Sequence, residues 1–303
     1  MTRSQSSDQT PNPSGAMVFI AMSLGMVSLS FASIFITHLE RSEVPPLIIA
    51  FYRMAIATLL LFPAAVACKR QELATLTRKD ILWLIVSGLF LALHFGAWIT
   101  SLKYISIAAS AVLVNTHPFF VVIAALLFLK EKPNRFSLMG TSIGLIGMLV
   151  IAWNSLADAE FALKGNLLAV LGALAVVGYF IIGRKVREGV SLLGYVTPVY
   201  AACSAFLLIW ASSLGNSLYP YPASSWGYFF ALAIVPTILG HTVFNWALKH
   251  VRPATVSLAF LGEPVIASIL AYFFFNQRPT LSILAGGLLV LAGVWLTMQR
   301  SNS

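Results

Sequence analysis

Residues 258–297 read LAFLGEPVIASILAYFFFNQRPTLSILAGGLLVLAGVWLT. This stretch is an apolar run that contains a proline, then the polar turn 276–279, then a second apolar run spaced by glycines. The same layout occupies residues 112–150, and the two halves align without a gap from Phe95 and His241 onward. The matched pairs, each 146 positions apart, include Lys103 and Lys249, Pro118 and Pro264, Pro133 and Pro279, Gly140 and Gly286, and Gly147 and Gly293. The chain is therefore predicted to be a duplicated unit.

The composition is typical of an integral membrane protein. Of the 303 residues, 59% are apolar and 10% are charged, and the mean hydropathy is +0.87, whereas soluble domains carry about 25% charged residues. Cys68 and Cys203 lack the spacing of a disulfide or a metal site, so we predict no metal and no cofactor. The motifs of metalloproteases, serine hydrolases and P-loop enzymes are absent, and we predict that the chain is not an enzyme.

Ten apolar segments follow a polar tail. Residues 1–15 are predicted to be a disordered cytoplasmic tail. Each segment has close to the ~20 residues that a helix needs to cross a bilayer. The segments are placed at 16–37, 45–67, 80–101, 105–129, 134–153, 163–184, 191–213, 225–247, 252–275 and 279–299. The predicted fold is an all-α membrane protein of ten transmembrane helices, with five-helix repeats at 16–154 and 163–300.

Lysine and arginine predict the orientation of the segments. With the N-terminus inside, fourteen of these residues fall in cytoplasmic loops and tails and four in outer loops, so both termini are predicted to be cytoplasmic. Charges scattered in this way argue against a nucleic-acid partner. Because a five-segment repeat is odd, its two copies enter the membrane from opposite sides. Inverted repeats of this kind are typical of secondary transporters with a central cavity, although duplication is also a route to a larger helical bundle.

The second half ends in a recognisable signature. Glu263-Pro264-Val265, the turn that ends at Pro279, and the glycine-spaced run 286–294 resemble the closing signature of the drug/metabolite transporter superfamily. Its ten-helix branch is called EamA-like. The first half repeats the signature as His117-Pro118, residues 130–133 and residues 140–147. Within this branch the chain is most similar to the YddG-type exporters of aromatic and other amino acids.

The chain departs from the family pattern at two places. Asn276-Gln277 stands where family members often carry an acid, and His117-Pro118 replaces the Glu-Pro of the first half. The resemblance implies a multi-pass protein of a bacterial inner membrane. It also implies that the first, third, fourth, sixth, eighth and ninth segments surround the cavity, which makes Ser30 and Tyr179 candidates for its wall.

Polar side chains at membrane depth are the candidate binding residues, because they are costly there unless they serve a function. His94 and Trp98 are four residues apart and share one helix face. His241 and Asn245 share a face of the eighth segment, and Trp246 is adjacent. An amino acid needs polar partners and an aromatic wall of this kind. Alternatively, each histidine bonds a neighbouring helix and each tryptophan anchors at the membrane interface.

The two in-helix prolines mark predicted kinks. Pro118 and Pro264 each free a backbone carbonyl one turn earlier, and we expect these kinks to border the cavity and to take part in gating. Asn115 and His117 adjoin the first kink, and Glu263 adjoins the second. Such kinks also serve packing alone. Glu263 is the only acid deep within a segment and Arg53 the only base; a mutual pair, substrate binding and a place near a helix end are all open.

These features predict a secondary exporter of small metabolites, with amino acids, including aromatic ones, as the small-molecule partner. The protein is expected to act as a monomer within the lipid bilayer by alternating access. Transport is expected to be facilitative, since no histidine is paired with a buried acid by the sequence pattern. The alternatives are proton-coupled efflux of cationic drugs or of another metabolite, and, in another class, a channel or a structural membrane protein.

The topology is directly testable by cysteine labelling after replacement of Cys68 and Cys203. A single cysteine near Lys103 is expected to react with an impermeant reagent from outside the cell, and one near Lys249 only from the cytoplasmic side. Labelling of both positions from the same side would exclude inverted repeats.

Overall fold

All regular elements in the described part of the chain are helices. The computed structural model describes residues 13–128, 135–155, 159–250, 256 and 260–298. No strand occurs among them, so the predicted all-α class is confirmed for these residues. The predicted N-terminal tail lies outside the described residues except for its last three positions.

The helices follow one another with short connections. Their bounds are α1 Gly15–Ser30, α2 Ala32–Arg41, α3 Pro46–Ala74, α4 Arg78–Ser101, α5 Ile107–Val114, α6 His117–Phe128, α7 Arg135–Ser155, α8 Ala159–Val186, α9 Leu192–Ser213, α10 Ala223–Leu232, a π-helical segment Ala233–His241, α11 Thr242–His250, a 3-10 turn Phe260–Gly262, α12 Glu263–Phe275 and α13 Leu281–Met298. Polar side chains define several of the starts. Ser14, Ser106 and Ser191 each accept a backbone N–H of the first turn, and Thr77 and Asp80 form a capping box, which satisfies donors that no helical carbonyl reaches.

Six helical spans among the described residues are long and apolar enough to cross a membrane. They are Gly15–Arg41, Pro46–Ala74, Arg78–Ser101, Ala162–Val186, Leu192–Ser213 and Ala223–His250. Shorter apolar helices lie at Ile107–Val121, Leu138–Gly147, Glu263–Phe275 and Leu281–Gly293. The protein is thus a multi-pass helical membrane protein, while the number of ten crossings and their inverted arrangement stay predictions.

Helix packing follows a paired pattern. Helix α4 packs against α8, and α1 packs against the π-helical segment. Helices α5 and α6 pack against α8, and α12 packs against α1. These contacts form equivalent pairs in the two halves. The α4–α8 contact corresponds to the contact of the π-helical segment with α1, and the contact of α5 and α6 with α8 corresponds to the α12–α1 contact. The contacts α7–α13, α3–α9 and α5–α12 join equivalent helices of the two halves. This is the pattern that a duplicated unit is expected to give.

Glycines allow the backbones of α7 and α13 to pack directly against each other. A Cβ added at Gly293 would lie 2.5 Å from the carbonyl oxygen of Gly140 and 2.6 Å from the amide nitrogen of Gly144. A Cβ added at Gly147 would lie 2.6 Å from the carbonyl oxygen of Gly286. Gly140 and Gly147 correspond to Gly286 and Gly293 in the second half. Small residues at such positions allow membrane helices to pack closely.

Helix continuity is lost at two equivalent places. Residues 115–116 form a turn between α5 and α6, just before Pro118, and the 3-10 turn 260–262 comes just before Glu263 and Pro264. The prolines therefore stand in the first turn of the following helix, where the missing N–H costs nothing. The π-helical segment before α11 contains a third proline, Pro236.

The close contact between α7 and α13 predicts that one added methyl group at Gly293 destabilises the protein. We expect Gly293→Ala to lower the thermal unfolding midpoint in detergent, because the clash is with backbone that cannot rotate away and overpacking costs roughly 1–3 kcal/mol. The matched control is Gly227→Ala in α10, where an added Cβ meets nothing within 4 Å. Equal midpoints for the two variants would show that the α7–α13 contact is looser than described.

Candidate functional site

A small buried cavity lies where both halves of the chain meet. It measures about 30 Å³, which holds only a few water molecules and is too small for any amino acid. It has to widen before a metabolite can bind. The wall is drawn from α1, α2, α4, α5, α6, α8, the π-helical segment, the 3-10 turn and α12, and consists of Leu29, Ala32, His94, Trp98, Val114, Asn115, His117, Val176, Phe180, His241, Phe260 and Glu263.

Six of the residues singled out in the sequence share this wall. They come from both halves of the chain and from both helix breaks. They are His94, Trp98, Asn115, His117, His241 and Glu263. Each is at least nine-tenths buried, so the polar atoms among them depend on protein partners or on whatever enters the cavity.

Four other candidates do not line the cavity in this conformation. Asn245 and Tyr179 lie behind the wall, where the Asn245 amide donates to the Tyr179 hydroxyl over 2.5 Å and to the His241 carbonyl oxygen over 2.8 Å. Ser30 donates to the Met26 carbonyl oxygen within its own helix. Trp246 is only half-buried and contacts the His250 ring.

The histidines of α4 and of the π-helical segment face each other across the cavity. The ring centroids of His94 and His241 are 6.3 Å apart, and Trp98 lies stacked 6.0 Å from His94. The Nδ1 atom of His94 lies 2.9 Å from the carbonyl oxygen of Gly172 in α8. His94 thus forms a hydrogen bond to a neighbouring helix and also lines the cavity. The two interpretations of this residue from the sequence, helix contact and cavity wall, are compatible.

Aromatic rings form the opposite wall. His117 stands edge-on to Phe180 and to Phe260, with centroid distances of 5.5 and 5.3 Å. Phe260 in turn packs 4.3 Å from the Phe244 ring. These contacts give this part of the wall an aromatic lining, of the kind that suits an apolar or cationic group.

Glu263 is held by the first half of the chain. The Asn115 side-chain amide donates to Glu263 Oε2 over 3.2 Å and also to the Ala111 carbonyl oxygen over 2.9 Å. Nearby, His117 Nδ1 lies 3.3 Å from the carbonyl oxygen of Val114, the carbonyl that Pro118 was predicted to free. The two helix breaks therefore meet through side chains that border one cavity.

Arg53 is a fully buried cation beside this wall. Its Nε donates to Thr237 Oγ1 over 2.7 Å, and its guanidinium lies over the Phe95 ring at 4.2 Å and over the Trp98 ring at 5.9 Å. No ion pair joins Arg53 to Glu263 in the described residues, so the mutual pair considered from the sequence is not formed. The π-helical segment supplies Thr237, whose hydroxyl donates to Leu232.

Several wall residues were not predicted from the sequence. Phe180, Phe260, Val176, Val114, Leu29 and Ala32 belong to long apolar runs, and no local signal separates them from residues that face lipid. Val114 and Phe260 stand four residues before Pro118 and Pro264, and this position was the available indication for these two. Thr237 was also missed, although it follows Pro236 directly.

Comparison with known sequences gives the context of this cavity. A family model described as the EamA-like transporter family matches residues 16–153 and 163–299. The uncharacterized transporter YdfC of Bacillus subtilis (strain 168) is 25% identical over 258 residues, which are 84% of this chain and 82% of that protein. The pseudopaline exporter CntI of Pseudomonas aeruginosa (strain UCBPP-PA14) is 26% identical over 252 residues, 82% of this chain and 85% of that protein.

A solved crystal structure has the same fold. It superposes with a TM-score of 0.66 and 16% sequence identity, and the match covers 94% of this chain and 99% of that one. The likeness shows a shared fold over most of both chains.

Trp98 offers a direct test of the cavity. We expect Trp98→Ala to reduce transport about tenfold, since a buried, stacked aromatic side chain contributes roughly 1–3 kcal/mol. Trp246→Ala serves as the matched control, because it removes the same side chain from outside the wall. Asn245→Ala is expected to reduce transport to a smaller degree through His241 and Tyr179. If Trp98→Ala transports normally with normal expression, the site lies elsewhere.

Proposed function

Since this chain belongs to the EamA-like transporter family, we propose that it is a secondary exporter of small metabolites. Amino acids, including aromatic ones, are the proposed substrates. The observation that carries the proposal is a single cavity, enclosed by both halves, whose wall combines a carboxylate, an amide, three imidazoles and several aromatic rings. An amino acid presents the complementary groups: a charged backbone end and an apolar or aromatic side chain.

Outward transport is supported by a relative. The Pseudomonas protein is named as an exporter, and it shares about a quarter of its residues with this chain over most of both lengths. The proposed location is the inner membrane of a bacterium, with both termini in the cytoplasm and the monomer as the transporting unit. Alternating access follows from the proposed inverted repeats, because exchanging the conformations of the two halves turns an outward-open cavity into an inward-open one.

The energy source is proposed to be the substrate gradient itself. Asn115 donates a hydrogen bond to Glu263 Oε2, and no histidine of the described residues is hydrogen-bonded to this carboxyl group. In the proposed facilitative cycle, Glu263 is a constant partner for a substrate ammonium group and carries no proton across. The equivalent position of the first half is His117, so the two halves do not present matching acids to the cavity.

Efflux of cationic drugs is the second candidate. It is favoured by Glu263 and by the ring faces of Phe180 and Phe260, which suit an organic cation. It is opposed by Arg53, whose buried guanidinium lies 5.9 Å from the ring of Trp98, a residue of the cavity wall. A cation without a balancing anionic group would be repelled by it.

Reconstituted liposomes test the proposal. Counterflow of labelled phenylalanine, with a panel of unlabelled amino acids and of organic cations as competitors, is expected to show competition by amino acids. Counterflow of a labelled organic cation together with no counterflow of phenylalanine would support drug efflux instead, and counterflow of neither would exclude both substrate classes.

The same liposomes test the coupling. With substrate on one side and an imposed pH gradient, facilitative transport is expected to stop at equal concentrations. Accumulation beyond that point, abolished by a proton ionophore and by Glu263→Gln, would establish proton antiport in place of facilitated diffusion.

A further inference from the structure

Two oppositely charged residues are buried at one cavity without forming an ion pair: Glu263 lines the cavity, and Arg53 lies beside Trp98 of its wall. Arg53 has no exposed surface and Glu263 is 7% exposed. Burying a charge without a partner costs several kcal/mol by order of magnitude. An ion pair between Arg53 and Glu263 would offset this cost most directly. The described structure instead directs Arg53 to Thr237 and Glu263 to Asn115. The separation leaves both charges available to a third group.

The Arg53 side of the cavity offers hydrogen-bond donors. Nη1 and Nη2 of Arg53 are buried and have no hydrogen-bond partner among the described residues, and the same holds for Nε1 of Trp98. Trp98 lines the cavity and lies beside the guanidinium. Arginine and the indole nitrogen are donors only, so this side is complementary to an anion, and a guanidinium fits a carboxylate in particular.

The Glu263 side offers acceptors. Only Oε2 of Glu263 accepts a hydrogen bond from the described part of the chain, which leaves Oε1 at the cavity wall. The hydrogen bond of His117 to a carbonyl oxygen requires the proton on Nδ1, so the Nε2 of a neutral ring is an acceptor, and this atom is buried without a partner. A carboxylate and an imidazole nitrogen together suit an ammonium group.

We propose that the two sides form a clamp for a zwitterion. Arg53 and Trp98 Nε1 bind the α-carboxylate, and Glu263 and His117 Nε2 bind the α-ammonium group, in the widened form of the cavity. The substrate side chain then lies against Phe180, Phe260 and Val176. The clamp rests on the proposed amino-acid export and adds to it a fixed substrate orientation and a requirement for both charged groups.

The clamp makes a prediction about substrate analogues that lack one charge. Phenylalanine amide lacks the carboxylate, and 3-phenylpropionate lacks the ammonium group, while both keep the ring. In counterflow with the wild-type protein, each is expected to compete at least about tenfold less well than phenylalanine, since a charge-assisted hydrogen bond is lost in each case.

Variants of Arg53 and Glu263 test which residue recognises the carboxylate and which recognises the ammonium group. Arg53→Gln is expected to remove the preference for phenylalanine over its amide but to keep the preference over 3-phenylpropionate, and Glu263→Gln is expected to do the reverse. Arg53→Lys keeps the charge and is expected to retain part of the preference. The control is Arg187→Gln, because this other buried arginine already donates to the carbonyl oxygens of Val190 and Asn245; its selectivity ratios should equal those of the wild type.

The experiments distinguish failure of the clamp from failure of the proposed amino-acid export. If the wild type carries phenylalanine and its amide equally well, or if Arg53→Gln leaves the ratio unchanged, the clamp is wrong and amino-acid export stands. If the wild type carries no amino acid at all, both the clamp and the proposed function are overturned. Should Arg53→Gln fail to fold, the wild-type ratios and Arg53→Lys decide the question.

Discussion

The bilayer offers the backbone no water, so each peptide group inside it must find its partner within the protein. Continuous helices meet this demand, and most of the described chain consists of them. The turns 115–116 and 260–262 interrupt them, and at the first a side chain replaces a missing backbone donor: His117 Nδ1 lies 3.3 Å from the Val114 carbonyl oxygen, for which Pro118 has no N–H. Loss of helix continuity and concentration of polar side chains therefore coincide, and the cavity lies where they do.

Much of the helical architecture was predictable because it depends on local properties. Apolar runs, their lengths and the repeated proline and glycine spacing are visible in the sequence, and the six cavity-lining polar residues stood out because polar groups are rare at membrane depth. The apolar wall was not predictable. The chain has 21 phenylalanines, and whether Phe180 faces a cavity or Phe273 faces lipid depends on helix rotation, which packing determines and composition does not.

The charged residues show a second limit of sequence reasoning. Their depth indicated that Arg53 and Glu263 matter, but the spacing between them along the chain says nothing about whether they meet. The structure separates them through Thr237, which the π-helical segment places next to the guanidinium, and through Asn115, which the first helix break places next to the carboxylate. Both separations come from departures from regular α-helix.

The π-helical segment also marks a difference in backbone geometry between the two halves of the chain. A π-helix accommodates an additional residue relative to an α-helix of the same span, and helix α4, its counterpart in the first half, is α-helical throughout. The gapless correspondence between the halves begins at Phe95 and His241, and His241 is the last residue of the segment. The correspondence between the halves thus begins where both halves again follow regular α-helix, and the π-helical segment just before this point in the second half supplies Thr237 to the buried Arg53 of the first half.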